Sequence, residues 1–102
     1  MSEKRKPTYD LEGFKAAFHS EEKLRATTSA IKGAANIGFG RKEIVATIQI
    51  MRRQHFHKSM TAYADNRIWH DVYHVPSEVG TLYVKFRADV MSEFLLLSFK
   101  EK

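Results

Sequence analysis

A chain of 102 residues has the length of one domain, enough for one hydrophobic core and too short for two. Its 17 lysines and arginines against 12 aspartates and glutamates leave a net charge of +5, which favours anionic partners, nucleic acid foremost. Cysteine is absent, which excludes disulfides, zinc fingers and thiol nucleophiles; no apolar run nears the ~20 residues of a membrane span and no signal-peptide core follows the charged start, so a soluble, cytoplasmic protein is expected.

Residues 1–9 are polar and include Pro7, which predicts an arm or loop. Asp10 suits the cap of a short helix with Leu11, Phe14 and Phe18 on one face, and Ser20-Glu-Glu22 breaks it. Lys23 to Thr27 reads as a short edge strand. Thr28 or Ser29 then caps a second helix with Ala30, Ile31, Ala34 and Ala35 facing inward, stopped by Asn36 and Gly38. Gly40 leads into a third helix whose buried stripe is Ile44, Val45, Ile48 and Met51. Arg52 and Arg53 near its end serve either the helix dipole or phosphate contact.

After Gln54 the period changes from that of a helix to that of a strand. His57 to Tyr63 reads as a strand and 64–67 as a turn. Ile68 to His74 alternates, with Trp69, Asp71 and Tyr73 opposite Ile68, His70 and Val72. A turn is expected from Val75-Pro76 to Gly80. Thr81 to Arg87 alternates cleanly, Leu82, Val84 and Phe86 against Tyr83, Lys85 and Arg87. Ala88 to Glu93 is expected as a loop, and Phe94 to Lys100 as a last strand, apolar enough to be central or covered on both faces. Helices first and hairpin-linked strands second mean a single α+β domain over 1–102, with the N-terminal helices on one face of a mainly antiparallel sheet.

If Leu82, Val84 and Phe86 bury, Tyr83, Lys85 and Arg87 must stand on the open face. Two cations and a phenol in a row suit RNA binding, or simply keep a solvated face soluble. Metal-free RNA cleavage needs a base for the 2′-OH, an acid for the 5′-oxygen and charge on the phosphorane. The sheet half offers Lys58, His70, Tyr83, Lys85, Arg87 and Lys100, and histidine has the pKa best matched to neutral proton transfer. His55, His57, His70 and His74 raise the question of a metal, but no carboxylate or cysteine stands at a tight ligand spacing, so no metal site is expected. A Ser59–His70–Asp71 triad can be written on paper, without the glycine pattern of a nucleophile elbow around the serine.

The blocks Lys58-Ser-Met-Thr61, Ile68-Trp69-His70-Asp71-Val-Tyr73 and Ser98-Phe-Lys-Glu-Lys102, with Gly80, Tyr83 and Lys85 between them, resemble the signature of the motility quorum-sensing regulator toxins. Glu3-Lys-Arg5 and Arg25-Ala-Thr-Thr28-Ser-Ala30 extend the likeness over nearly the whole chain. The resemblance implies a RelE-like fold and an mRNA interferase, the toxin of a toxin–antitoxin pair. Such a toxin cuts single-stranded RNA at GC-containing triplets, and its partner is a zinc-binding helix-turn-helix antitoxin. No cofactor is implied. The family's active-site residues fall on Lys58, Tyr83 and Lys100, and His70 stands where a relative has glutamine. Histidine can exchange a proton where glutamine cannot, so His70 is expected as general base or acid with Tyr83 as its partner. Lys58 and Lys100 then hold the phosphate, and Lys85 and Arg87 bind RNA. The loop from Ala88 to Glu93 is about two residues longer than in that relative, an insertion a hairpin turn tolerates. A non-catalytic module that binds RNA or only an antitoxin is the alternative. A DNA-binding regulator ranks last, because the helices lack a basic groove-facing surface.

Overall fold

The computed structural model describes residues 2–88 and 93–102. Glu3–Lys4 forms a two-residue strand, β1. Three helices follow, α1 over Leu11–Ala17, α2 over Thr28–Ala35 and α3 over Arg41–Gln49. The chain then builds β2 (Phe56–Thr61), β3 (Trp69–Ser77), β4 (Gly80–Ala88) and β5 (Phe94–Glu101). The strands pair in the order β1-β2-β3-β4-β5, antiparallel throughout, with the helices on one face. The expected α+β architecture is therefore present. Among the described residues no helix is long and apolar enough to cross a membrane.

The helix boundaries follow from local hydrogen bonding. The Asp10 carboxylate accepts from Gly13 N at 3.1 Å and starts α1. Thr27, one residue before the expected caps, accepts from Ala30 N at 3.1 Å and starts α2, a contact typically worth about 1 kcal/mol. The same hydroxyl donates to the Leu97 carbonyl at 3.0 Å, so the cap also ties α2 to β5. Gly38, at φ 82°, ends that segment in the left-handed conformation that glycine adopts without strain. At the start of α3 the Glu43 carboxylate accepts from Gly40 N at 2.8 Å.

The core lies between the helices and the inner face of the sheet. Phe14 stacks on Phe86 with ring centroids 3.7 Å apart, and Ile44, Ile48, Leu82, Val84, Leu96 and Phe99 are fully buried around them. Ala30 and Ala34 are buried as expected, whereas Ala35 is exposed because α2 ends there and turns that position outward. α2 lies so close to β5 that a Cβ on Gly33 would strike the Phe99 carbonyl oxygen. This explains a glycine in mid-helix, where it ordinarily costs about 1 kcal/mol against alanine.

Three expectations need correction. β5 is an edge strand rather than a central one. Its apolar character is accounted for by α2 on one face and by the segment at Ala26, which bridges Leu96 in parallel: Leu96 N donates to Arg25 O at 2.9 Å and Thr27 N to Leu96 O at 3.0 Å. Lys23 to Thr27 thus contributes a single bridge where a strand was expected. The turn expected from Val75 to Gly80 is also shorter, for β3 runs through Pro76 to Ser77 and pairs Ser77 with Gly80. Pro76 sits beyond Tyr73, where β2 no longer flanks β3, a position in which a strand tolerates proline. Of the expected loop between Ala88 and Glu93, residues 89–92 lie outside those described.

Candidate active site

Two irregularities in the sheet create the open face. Phe56 pairs with Tyr73, but Lys58 pairs with Val72, so His57 is an extra residue in a bulge. Without it, Phe56 and Lys58 would share a face. With it, Phe56 packs on Tyr73 in the core, with centroids 5.5 Å apart, while Lys58 turns outward. A second bulge lies where Lys85 pairs with Ser98 and Phe86 with Leu96. It lets Leu96 and Phe99 bury while Ser98 and Lys100 face out.

The register arranges the outward residues in rows across the strands. Lys58, Val72, Lys85 and Ser98 form the middle row. On one side lies the row of His74, Tyr83 and Lys100. On the other lie Met60 and His70, with Arg87 and Leu95 continuing that row on β4 and β5. Val72 is fully buried although it stands on this face, so its neighbours' side chains close over it. Lys100 Nζ lies 5.3 Å from the Tyr83 ring centroid. The His57 and His74 rings stack at 4.1 Å and 20°, and His74 is 6.1 Å from Tyr83. Lys58 Nζ is 2.9 Å from Glu3 Oε1 in the arm.

The electrostatics follow from this crowding of cations. Burial first, then Lys85 and Arg87, hold His70 below the ordinary imidazole value of 6.5. Burial first, then His57, Lys102 and Lys58, do the same to His74. His57 is lowered by burial and by Lys58, Arg5 and Lys102. Burial raises the Tyr83 hydroxyl above 10, against a smaller opposing pull from Lys58. Lys85 is lowered, mainly by burial and then by Lys100. At neutral pH the face thus carries neutral imidazoles and a protonated phenol among cationic groups, which is a setting for proton transfer beside an anion.

The same strands do different work on their other face. Asp71 is fully buried and accepts from Thr8 N at 3.1 Å and Tyr9 N at 2.9 Å. Ser59 shares a 2.6 Å hydrogen bond with the Thr8 hydroxyl, and Thr61 Oγ1 accepts from Ser2 N at 2.8 Å. Ser59, Thr61 and Asp71 therefore clamp the N-terminal arm. The paper triad of Ser59, His70 and Asp71 does not form, because His70 points from the opposite face of the sheet.

Lys58, Tyr83, Lys85 and Lys100 come together as neighbours on one face. His70 joins that face, but not beside Tyr83: it stands four residues from His74, Tyr83's cross-strand partner, roughly 13 Å along the strand. His57 and His74, weighed from the sequence only as metal ligands, are full members of the site. Their rings stack face to face instead of converging on a point, and among the described residues no three of His, Asp and Glu gather to hold a metal ion. The signal that finds His74 is the turn: once Ser77 pairs with Gly80, His74 must pair with Tyr83.

Comparison with known proteins bears on the family. The chain is 35% identical over 100 residues to the mRNA interferase toxin MqsR of Escherichia coli (strain K12), covering 98% of this chain and 99% of that one. Residues 6–101 match the family model described as motility quorum-sensing regulator, toxin of MqsA. With the match running from the arm to the end of β5, the chain belongs to the motility quorum-sensing regulator toxin family.

Proposed function

We propose that this toxin is a metal-independent endoribonuclease that cuts single-stranded mRNA in the cytoplasm at GC-containing triplets, through acid–base attack of a 2′-OH on the adjacent phosphorus. Family membership makes it the toxin of a toxin–antitoxin pair with endoribonuclease activity. Its counterpart on this reading is a zinc-binding helix-turn-helix antitoxin, and cutting messages halts translation and growth.

The observation that carries the mechanism is the layout around Val72. Lys58 and Lys85 flank it across the strands, His70 lies to one side along β3, and Tyr83 with Lys100 lies to the other. In-line displacement places the entering 2′-oxygen and the departing 5′-oxygen on opposite sides of phosphorus, so base and acid must also stand on opposite sides. A phosphodiester over Val72 meets this condition. His70, kept neutral by its burial and by Lys85 and Arg87, takes the 2′-OH proton as the O–P bond forms. The P–O5′ bond breaks toward the Tyr83 side, where the leaving oxygen receives a proton. Lys58 and Lys100 neutralise the charge that builds on the phosphorane, a contribution typically worth 10²–10³ in rate per donor. Lys85 and Arg87 hold the strand through its phosphates. The products are a 2′,3′-cyclic phosphate and a free 5′-hydroxyl.

The experiment is incubation of the purified protein with a long single-stranded RNA in EDTA, with both ends of the fragments mapped. Cuts at a recurring GC-containing triplet that leave cyclic phosphates are expected. Intact RNA that still shifts on a gel would favour a binding module without catalysis. Intact RNA without a shift would remove RNA from the reading altogether.

A further inference from the structure

The leaving 5′-oxygen needs a proton, and the Tyr83 hydroxyl is a weak source of one. Burial carries its pKa above 10, further from neutral pH. General acids work best when their pKa lies near the working pH, and imidazole meets that condition where a phenol does not. The residue directly across the strand pair from Tyr83 is a histidine, His74. It is on the open face, only partly buried, with its ring centroid 6.1 Å from that of Tyr83. Its orientation is fixed by His57, whose ring lies flat against it at 4.1 Å. His57 is available for this because the β2 bulge adds it to the strand without displacing Lys58 or Phe56 from their faces. A bulge kept beside a cationic row, used to lay one imidazole on another, is a device for aiming a side chain.

We infer that His74 is a further catalytic residue of this site, the acid that delivers a proton to the leaving 5′-oxygen from the Tyr83 side of the phosphate, and that His57 is the residue that positions it. The inference rests on the reading of the chain as a ribonuclease. The 2′-oxygen bonds to phosphorus as its proton passes to His70. The P–O5′ bond breaks as the proton on the His74 imidazolium passes to the 5′-oxygen. One proton is taken and one is given, and the two histidines exchange protonation states with no other reactant.

The groups facing His74 set how readily it gives up a proton. His57 and Lys58 approach from β2, Tyr83 from β4 and Lys102 from the end of β5, while Arg5 and Glu3 of the arm act on His57. These cations favour the neutral ring in the free protein and make the imidazolium a readier donor, and the anionic phosphate, once bound beside it, restores the protonated form that the reaction uses.

The test uses an RNA oligonucleotide that the wild-type protein cuts once, and the same oligonucleotide with sulfur in place of the scissile 5′-oxygen. A thiolate departs without a proton, so loss of the acid matters only for the oxygen substrate. His74→Gln is expected to cut the oxygen substrate about 10²-fold more slowly, to lose the alkaline limb of the pH–rate profile, and to cut the sulfur substrate within a few fold of wild type. His57→Ala should show a smaller loss with the same rescue. His74 lies on the face away from the core, so the variants fold, which thermal melting checks. An equal deficit on both substrates, or a His74→Gln protein as fast as wild type, overturns the inference and leaves the ribonuclease reading standing. A wild-type protein that cuts neither substrate overturns both.

Discussion

The two faces of the β2–β3 pair differ sharply in chemistry, although they are made from the same short blocks of sequence. Outward go Lys58, Met60, His70, Val72 and His74; inward go Ser59, Thr61, Trp69, Asp71 and Tyr73. On the proposed mechanism the outer set carries the chemistry. The inner set carries the attachment of the arm, which in turn brings Glu3 to Lys58. A conspicuous block such as Lys58-Ser-Met-Thr61 is thus two overlaid signals of period two, one for the open face and one for the attachment of the arm. Substitutions on the two faces should fail in different ways.

The largest effect expected is on the outer face. Lys58→Met keeps the apolar stem and removes the charge, and should lower the cleavage rate about 10²–10³-fold with little change in unfolding midpoint. Single-turnover kinetics beside a urea melt would check it, and a rate near wild type would remove Lys58 from the chemistry. On the inner face the order is reversed. Asp71→Ala leaves the Thr8 and Tyr9 amides without their buried acceptor and should cost about 3 kcal/mol of stability. Below its melting temperature such a protein should cut RNA far better than the Lys58 variant. If urea unfolding showed Asp71→Ala to be as stable as wild type, the arm would be held by something else.

A smaller effect, of opposite sign, belongs to Tyr73. Among the described residues its hydroxyl is the buried side-chain polar atom with no hydrogen-bond partner, and burial, with Asp71 nearby, pushes its pKa up to about 12. Tyr73→Phe removes an unsatisfied group at nearly constant shape and should stabilise the fold by about 1 kcal/mol. A loss of stability in the same melt would mean that the hydroxyl has a partner in solution.

Much of this was legible in the sequence, for particular reasons. Leu82, Val84 and Phe86 bury and force Tyr83, Lys85 and Arg87 outward by alternation alone. Asp10, Asn36 and Gly40 mark helix ends because each answers a local backbone need. What was not legible depends on counting across strands. An apolar β5 looks central until Arg25 to Thr27 is found covering its edge. The neighbour of Tyr83 cannot be named until the turn length is known, since one residue of slip reverses every face and two residues change every partner. A bulge such as that at His57 has no sequence signature without a glycine, yet it decides that Phe56 and Lys58 part ways.

The histidines of the outer face give that face a pH signature of its own. His57, His70 and His74 all have folded pKa values lowered from 6.5, chiefly by burial. The unfolded chain therefore binds more protons as pH falls, and stability should decline as pH drops through 6.5, levelling once the folded-state values are passed. Lowered carboxylates such as Glu3 and Asp65 act in the same direction but in a more acid range, from their ordinary values near 4 downward. Urea unfolding at pH 7.5 and 5.5 measures the histidine part. The decline should shrink in a His57→Gln, His74→Gln double variant, and an unaltered slope would assign it to other groups.

The smallest effect concerns the contact that joins the two faces. Glu3 comes from the arm held by the inner face, yet its carboxylate ends 2.9 Å from Lys58 on the outer one, and the Lys58 ammonium keeps its pKa below the ordinary value. An exposed ion pair of this kind adds little stability. On the proposed mechanism it competes with RNA, because a phosphate must displace Glu3 to take Lys58. Glu3→Gln should therefore leave the melt unchanged and raise affinity for an uncleavable 2′-O-methyl RNA modestly, most clearly at low salt where the competing pair is least screened. The salt dependence separates the causes. If Lys58 exchanges a carboxylate for a phosphate, the wild type gains no net ion contact there, and the variant should show a steeper slope by at most about 0.7 in log K against log salt. Equal slopes with equal affinities would mean that the arm already releases Lys58 when RNA arrives, and that the inner face governs the fold without touching the chemistry.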